Sequence, residues 1–393
     1  MLILLDEPTL DEYFSQCSAS RTLFQSQCVS YNDYQTEFYS PSYIKKLASR
    51  SLSRHLYNKN GFVLEPIYFI EDQGITYIRN SYEQLEYSRA FRTHWLSYSS
   101  INARYSQKRR FGKSHNYYNF HGTYVSAIDS ARLEQIPTDP NNKTFVILWH
   151  EDHTNYWHFI FEVGFRLFLL KLALGSSEIQ NVNYIVVGEG LTSVQSSIIE
   201  VILGFMPHIK YYPNAVRLKS SYIIALNDRV LFDRLLMNRY AAIFHQSSIL
   251  MSQDFLEEMP SNDKIYISRG VAKNGRNISN IKDLLCTLDS HNFNMIDPGI
   301  HTFYDQYYLF SNCHQVIGSN GAAFANALFM KDSFVIELCP HTYPSIVIYL
   351  LVTGLNNSYL RIGCSNYQGT SDIICNIDVI ERALGYLKIR SLE

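Results

Sequence analysis

Two strand-to-helix turns, about one βαβ unit apart, constrain this chain more than any other feature. The first runs Lys264-Ile265-Tyr266-Ile267-Ser268-Arg269 into a basic loop holding Lys273 and Arg276. The second runs Gln315-Val316-Ile317-Gly318-Ser319-Asn320-Gly321-Ala322-Ala323-Phe324-Ala325-Asn326. In each, a short apolar strand empties into a turn that opens a helix, as in a parallel α/β sheet. Helix N-termini carry unpaired N–H groups and the positive end of the helix dipole, so they suit an anion. Glycine lets the backbone come close to that anion, and cationic side chains add fixed charge. Arg269, Lys273 and Arg276 with the N–H groups of Gly321, Ala322 and Ala323 therefore read as a phosphate site at the carboxyl edge of the sheet, which requires Arg269 to lie near Gly321.

Alternation extends on both sides of this pair. After Lys264 the pattern predicts strand 265–267, helix 280–288, strand 294–296, helix 303–311, strand 315–318, helix 322–330, strand 334–338 and helix 344–353. Segment 377–387 reads as a closing helix. An earlier block gives strand Phe145-Val146-Ile147-Leu148, a helix from about Asn155 to Leu174, strand Tyr184 to Val187, a helix across Val194 to Leu203 and a strand near Tyr222-Ile223-Ile224. Between Pro137 and Lys143 a polar stretch reads as a linker or long turn. Before it, periodicity is weak, with short strands such as Phe62-Val63-Leu64 and Thr76-Tyr77-Ile78 among loops. The expected organisation is an N-terminal extension of mixed strands and loops (1–140), a first α/β domain (141–260), a second (261–365) and a C-terminal closing helix (366–393).

Composition narrows the function classes. Of 393 residues, 46% are hydrophobic, enough for two real cores. The net charge of −2 argues against nucleic acid as a partner, since nucleic-acid-binding domains are usually basic. Seven cysteines with no paired or metal-like spacing suggest reduced thiols in a cytoplasmic protein. The start, Met1-Leu2-Ile3-Leu4-Leu5-Asp6-Glu7, is too short and too acidic for a signal peptide, and no run approaches the ~18 apolar residues of a membrane span.

On the first long helix Glu151, Asn155, His158, Glu162 and Arg166 recur on one face. The surrounding positions are almost all apolar, so the helix is expected to be buried on most sides. A polar stripe there must meet water, a cleft or paired groups, because an unpaired buried polar group costs ~1–3 kcal/mol. His158 and Glu162 are spaced to hydrogen-bond. The residues leave two readings open, a cleft-lining base or a satisfied internal network. The string His150-Glu151-Asp152-His153 invites a metal, but no complete ligand set follows it. No Asp-x-Asp pair stands anywhere in the chain.

Together the segments Asn155-Tyr156-Trp157-His158, Tyr266-Ile267-Ser268-Arg269 with Arg276 and Asn280, Asp297-Pro298, Asp305-Gln306, Gly318 to Asn326, and Val335-Ile336-Glu337-Leu338 resemble glycosyltransferase family 61. The resemblance spans roughly residues 145 to 340. The chain departs from the family pattern at Asn320, where a histidine is common, at Ile281, and at Gly164-Phe165. The resemblance implies a GT-B fold, two Rossmann-like domains facing a cleft, with inverting chemistry. It implies a UDP-linked nucleotide-sugar donor, a saccharide or glycolipid acceptor in surface or capsular polysaccharide synthesis, and no cofactor or obligatory metal.

On that reading His158 is the base, oriented by Glu162, with Asp152 as the rival. Arg269, Lys273 and Arg276 meet the diphosphate, helped by the turn Asn320-Gly321-Ala322-Ala323, and Glu337 accepts from ribose hydroxyls. The expected location is the cytoplasm, with peripheral attachment to the inner face of the membrane left open. Two competing readings are a non-catalytic scaffold that binds a sugar nucleotide or glycan, and a sugar-nucleotide epimerase.

Overall fold

The computed structural model describes residues 20–27, 64–73, 76–79, 85–87, 118–120, 123–125, 137–147, 155–187, 190–213, 215–225, 234–251, 263–269, 276–340, 347–368, 370 and 372–390. It is a mixed α/β protein whose contacts divide into two units, Met1–Cys28 with Val63–Leu236 and Val29–Phe62 with Met237–Glu393.

The first unit contains β1 (Ser20–Gln27), β2 (Leu64–Gln73), β3 (Thr76–Arg79), β4 (Leu85–Tyr87), β5 (Tyr118–Phe120), β6 (Thr123–Val125), β7 (Thr138–Asp139), β8 (Thr144–Ile147), β9 (Asn183–Val187), β10 (Ile209–Tyr212), β11 (Ala215–Leu218) and β12 (Ser220–Ala225). One sheet has the order β1-β2-β12-β8-β9-β10 and a second β4-β3-β11-β7, while β5 and β6 form a hairpin. β12, β8, β9 and β10 pair in parallel, and β1 and β2 add to that sheet in antiparallel fashion. Val146, Ile147, Ile185, Val186 and Val187 are all buried, the continuous apolar run of strands covered on both faces. The helix Ser193–Leu203 opens on a capping box between Thr192 and Gln195 and closes at Gly204 in the left-handed region, φ 84°.

The stretch expected to be a linker is instead structured. Thr138–Asp139 pairs in parallel with β11. The buried Asp139 carboxylate accepts from Tyr212 Oη at 2.7 Å, Lys210 Nζ at 2.9 Å and the Asn141 N–H at 2.8 Å. Those bonds compensate the burial of a charge, which a polar composition alone does not reveal.

The second unit holds β13 (Lys264–Ile267), β14 (Asn294–Ile296), β15 (Gln315–Ser319), β16 (Phe334–Pro340), β17 (Ser358–Asn366) and β18 (Ile373–Ile374), in the order β14-β13-β15-β16-β17-β18. The first five are parallel and β18 closes the edge in antiparallel fashion. Here the predicted strands and helices fall where the alternation places them, except that Ala322–Phe329 winds as a 3-10 helix, and the pattern leaves out β17, β18 and the short turn Pro298–Ile300.

Strand periodicity sorts this sheet into two faces. Tyr266, Ile317, Ile336, Leu338, Leu360 and Ile362 pack with Leu284, Leu288, Ile380 and Leu384 of the helices Ile281–Ser290 and Ile377–Arg390. The alternate positions on β16 and β17 are Glu337, Cys339, Tyr359 and Arg361, so the opposite face carries a buried polar group. The second unit also holds an aromatic cluster in which Phe329 lies 5.1 Å from Phe244, 5.8 Å from Phe303 and 5.4 Å from Tyr307, ring centre to ring centre.

Candidate functional site

The strand order fixes where the second unit can bind. β13, first in sequence, lies between β14 and β15, so the direction in which successive strands are laid down in the sheet reverses at β13, a topological switch point. A cavity of about 190 Å³ opens at the carboxyl ends of these three strands. β13 and its extension supply Ile267, Ser268 and Arg269; the end of β14 supplies Asp297, Pro298 and Gly299; β15 and the following turn supply Ser319, Gly321, Ala322 and Ala323.

Arg269 sits over Gly321. Its Nη1 donates to the Asn320 carbonyl. A Cβ at Gly321 would lie 2.9 Å from that Nη1 and 3.3 Å from Cζ. Gly321 has φ −178°, extended backbone open to any residue, so glycine is needed here for the space the guanidinium occupies. Gly318 is needed for space of another kind, since a Cβ there would stand 2.9 Å from Ile267 Cβ and 3.5 Å from the Phe324 ring. The first bond of the 3-10 helix is Phe324 N–H to the Gly321 carbonyl, 3.2 Å, so the Ala322 and Ala323 N–H groups precede it at the cavity wall.

Behind the cavity the Asn320 side chain joins two charged groups. Its Oδ1 accepts from Arg276 Nη1 at 2.5 Å and its Nδ2 donates to Glu337 Oε1. Tyr359 Oη donates to the other oxygen, Oε2. Arg361 stands opposite Glu337 in the β16–β17 register and donates to Cys339 Sγ at 2.7 Å. Burial alone would lower the Arg361 guanidinium; the Glu337 carboxylate and the Tyr359 phenol more than offset it and hold the group above its usual range. Burial, then the same carboxylate, pushes the Tyr359 phenol well up, so it remains an O–H donor. Arg276 takes left-handed backbone, φ 66°, a conformation that costs a non-glycine residue about 1–2 kcal/mol and that gathers at ligand sites.

In the first unit, Asn155 is the N-cap of the long helix rather than a stripe residue, its Oδ1 accepting from the Trp157 N–H at 3.0 Å. The helix then passes through a π segment, Phe159–Gly164, before Phe165–Glu178. Such wide turns are rare and recur at functional sites. His158, at its start, lies with Nδ1 2.7 Å from Glu162 Oε1. Glu162 is 6% exposed and His158 22%, so the carboxylate is sheltered while the ring reaches the surface. A carboxylate on Nδ1 favours the tautomer that donates there, which puts the basic lone pair on Nε2.

Of the residues the sequence singles out, the structure brings Arg269, Gly321, Ala322 and Ala323 to one cavity, Arg276, Asn320 and Glu337 to the network behind it, and His158 and Glu162 to one pair. Asp152, Lys273 and the string His150 to His153 lie outside the described residues. Glu337, expected at a ribose, is 1% exposed with both carboxylate oxygens engaged inside the sheet. Asp297, Tyr359 and Arg361 receive no role from the sequence; their signal is position, at a strand's carboxyl end or across a strand pair. Among the described residues no three histidine, cysteine, aspartate or glutamate side chains gather to hold a metal ion, and no helix is long and apolar enough to cross a membrane.

The model of the family Glycosyltransferase 61 matches residues 156–336. The matched segment belongs to glycosyltransferase family 61. It opens at the helix of His158 and ends one residue before Glu337, so it contains the arginines, the glycine turn and the switch-point cavity. The match to family 61 indicates a glycosyltransferase, and with it a nucleotide-sugar donor and a saccharide acceptor. No curated protein matches the chain.

Within the family 61 segment the Gly321 geometry yields a direct expectation. Gly321→Ala sets a methyl group against Arg269 Nη1, the far end of a flexible side chain, so the arginine moves and the fold does not. Donor affinity should fall about tenfold, the loss of ~1.4 kcal/mol, with melting temperature nearly unchanged. Calorimetric titration beside thermal denaturation separates the two effects; a large drop in melting temperature would make Gly321 a packing residue.

Proposed function

We propose that the protein is an inverting, metal-independent glycosyltransferase of GT-B type, moving a sugar from a UDP-linked donor to a saccharide or glycolipid acceptor in surface or capsular polysaccharide synthesis. The observation that carries this is the cavity at the switch point with Arg269 seated over Gly321. The second unit takes the donor and the first unit takes the acceptor. Arg269 and the first N–H groups of the Ala322–Phe329 helix receive the diphosphate, with Lys273 adding charge. Arg276 and Glu337 act through Asn320, whose carbonyl holds Arg269. His158 takes the acceptor's proton, Glu162 orients it, and Asp152 is the alternative base.

In the transfer the acceptor oxygen attacks the anomeric carbon from the face opposite the leaving group. As the new C–O bond forms, the bond to the phosphate oxygen breaks and the nucleoside diphosphate leaves with the electron pair. The guanidinium groups and helix end stabilise that charge where a metal ion otherwise would. A reaction with soluble donors at a membrane acceptor fits a cytoplasmic protein held peripherally at the inner face of the membrane.

The test is a thermal-shift screen of nucleotide sugars, since a ligand that binds only the folded state raises the melting temperature. A UDP-sugar should give the largest shift. Arg269→Ala should weaken its binding by about 1.5–3 kcal/mol, the worth of a charge-assisted contact, without loss of fold. Turnover should survive EDTA; complete loss with rescue by manganese would overturn the metal-independent reading. Unchanged donor affinity in Arg269→Ala would remove the cavity from the reaction.

A further inference from the structure

We infer that Asp297 takes the ribose hydroxyls of the donor nucleotide, so that the cavity reads a ribonucleoside diphosphate rather than a bare phosphate group. The inference rests on the donor reading of the switch-point cavity and adds the part of the ligand that reading leaves out.

The cavity is electrically two-sided. β15 and its turn present Gly321, Ala322 and Ala323, and Arg269 leans over them from β13. β14 lies on the other side of β13, and Asp297 directly follows its last residue, Ile296. A carboxylate repels a phosphate, so the Asp297 end of the cavity is unsuited to the diphosphate. It is suited to a neutral group with O–H donors, because an ionised carboxylate offers acceptor lone pairs only. The vicinal hydroxyls of a ribose are such donors, and they stand beside the diphosphate in every ribonucleotide sugar.

The carboxylate is held in place for the task. Asp297 caps the turn Pro298–Ile300, with Oδ1 accepting from the Gly299 N–H at 2.9 Å. A Cβ at Gly299 would lie 3.2 Å from that oxygen, so glycine lets the side chain lie close over the turn. Buried Pro298 stiffens the backbone next to it. With Oδ1 on the turn, Oδ2 is the acceptor for the ligand. Doubly wound nucleotide folds set an acid for the ribose at the end of the strand beside the first one, which is the place of Asp297 in this order. Glu337, the other acid near the site, is closed inside the sheet.

Asp297→Ser separates this role from capping, because serine keeps an N-cap oxygen and withdraws the carboxylate. Calorimetric titration of the full chain with UDP, 2′-deoxy-UDP and inorganic pyrophosphate reads the result. The unaltered protein should prefer UDP over 2′-deoxy-UDP by about tenfold or more, the worth of a hydrogen bond to a charged group. In Asp297→Ser that preference should fall to within about twofold while pyrophosphate affinity holds. If the serine variant keeps the preference, or loses pyrophosphate as well, Asp297 only shapes the turn and the inference fails while the donor reading stands. If the unaltered protein binds neither nucleotide nor pyrophosphate, the donor reading itself fails and takes the ribose with it.

Discussion

Glu337→Ala is expected to cost the fold about 3–5 kcal/mol, the usual loss when one partner of a buried charged pair is removed. Glu337 is 1% exposed and accepts from Asn320 Nδ2 and Tyr359 Oη, with Arg361 opposite on the next strand. Alanine leaves Arg361 buried without its carboxylate and both donors without an acceptor. Domains have a margin of only about 5–15 kcal/mol, so much of it would go. Glu337→Gln should lose less, since its amide still offers one acceptor and one donor. The double variant Glu337→Ala with Arg361→Ala should lose less than the two single losses added, because the orphaned cation leaves with the carboxylate. Urea unfolding of the unaltered protein, the three single variants and the double variant measures this. A loss below ~1 kcal/mol in Glu337→Ala would show the network to be slack. Donor affinity of the folded fraction should also weaken, because Asn320 loses the group that fixes its amide.

How far the sequence reaches is visible in this same sheet. β13, β15 and β16 are legible because strands buried on both faces are continuous apolar runs: Ile265-Tyr266-Ile267, Val316-Ile317, Val335-Ile336. β17 is not, because Arg361 and the polar Ser358, Ser365 and Asn366 break its run. Its arginine makes sense only beside Glu337, and that pairing is set by strand order, not by local pattern. The turn Ser319 to Ala323 is legible as a ligand loop from its glycine and small residues. That Arg269 fills the space over Gly321 is a contact between segments 52 residues apart, for which a motif gives direction and no geometry. The helix signal over Ala322–Phe329 and the stripe at His158 likewise carry no sign of 3-10 or π winding, since all three helices share the same apolar residues. Asp297 is the clearest case. Its acid-proline-glycine turn is plain in the sequence, but its place across the cavity from Gly321 follows only once β14 and β15 are known to flank β13.

His158→Ala is expected to cut turnover by about 100-fold or more, the common contribution of a positioned general base. Donor affinity should hardly change, because the groups proposed to bind the phosphates stand on the second unit and His158 on the first. The pairing with Glu162 sharpens the expectation. A carboxylate 2.7 Å from Nδ1 fixes which nitrogen carries the proton and strengthens the other as a base. Glu162→Gln keeps the side chain's size and an oxygen for Nδ1, so the ring stays in place while the charge that stabilises its protonated form is gone. Turnover should therefore fall less than in His158→Ala, and its rise with pH should move to lower pH, since a histidine that loses its anionic partner gives up its proton more readily. A purely structural pair predicts something else: both variants lose stability together, by the ~1–3 kcal/mol of a buried group left unmatched, and turnover per folded molecule is preserved. Melting temperature measured beside the pH–rate profile divides the two. Glu162 is nearly closed off while His158 is partly exposed, so the charge that would support the ring is sheltered from water. A stable, fully active His158→Ala protein would pass the role to Asp152.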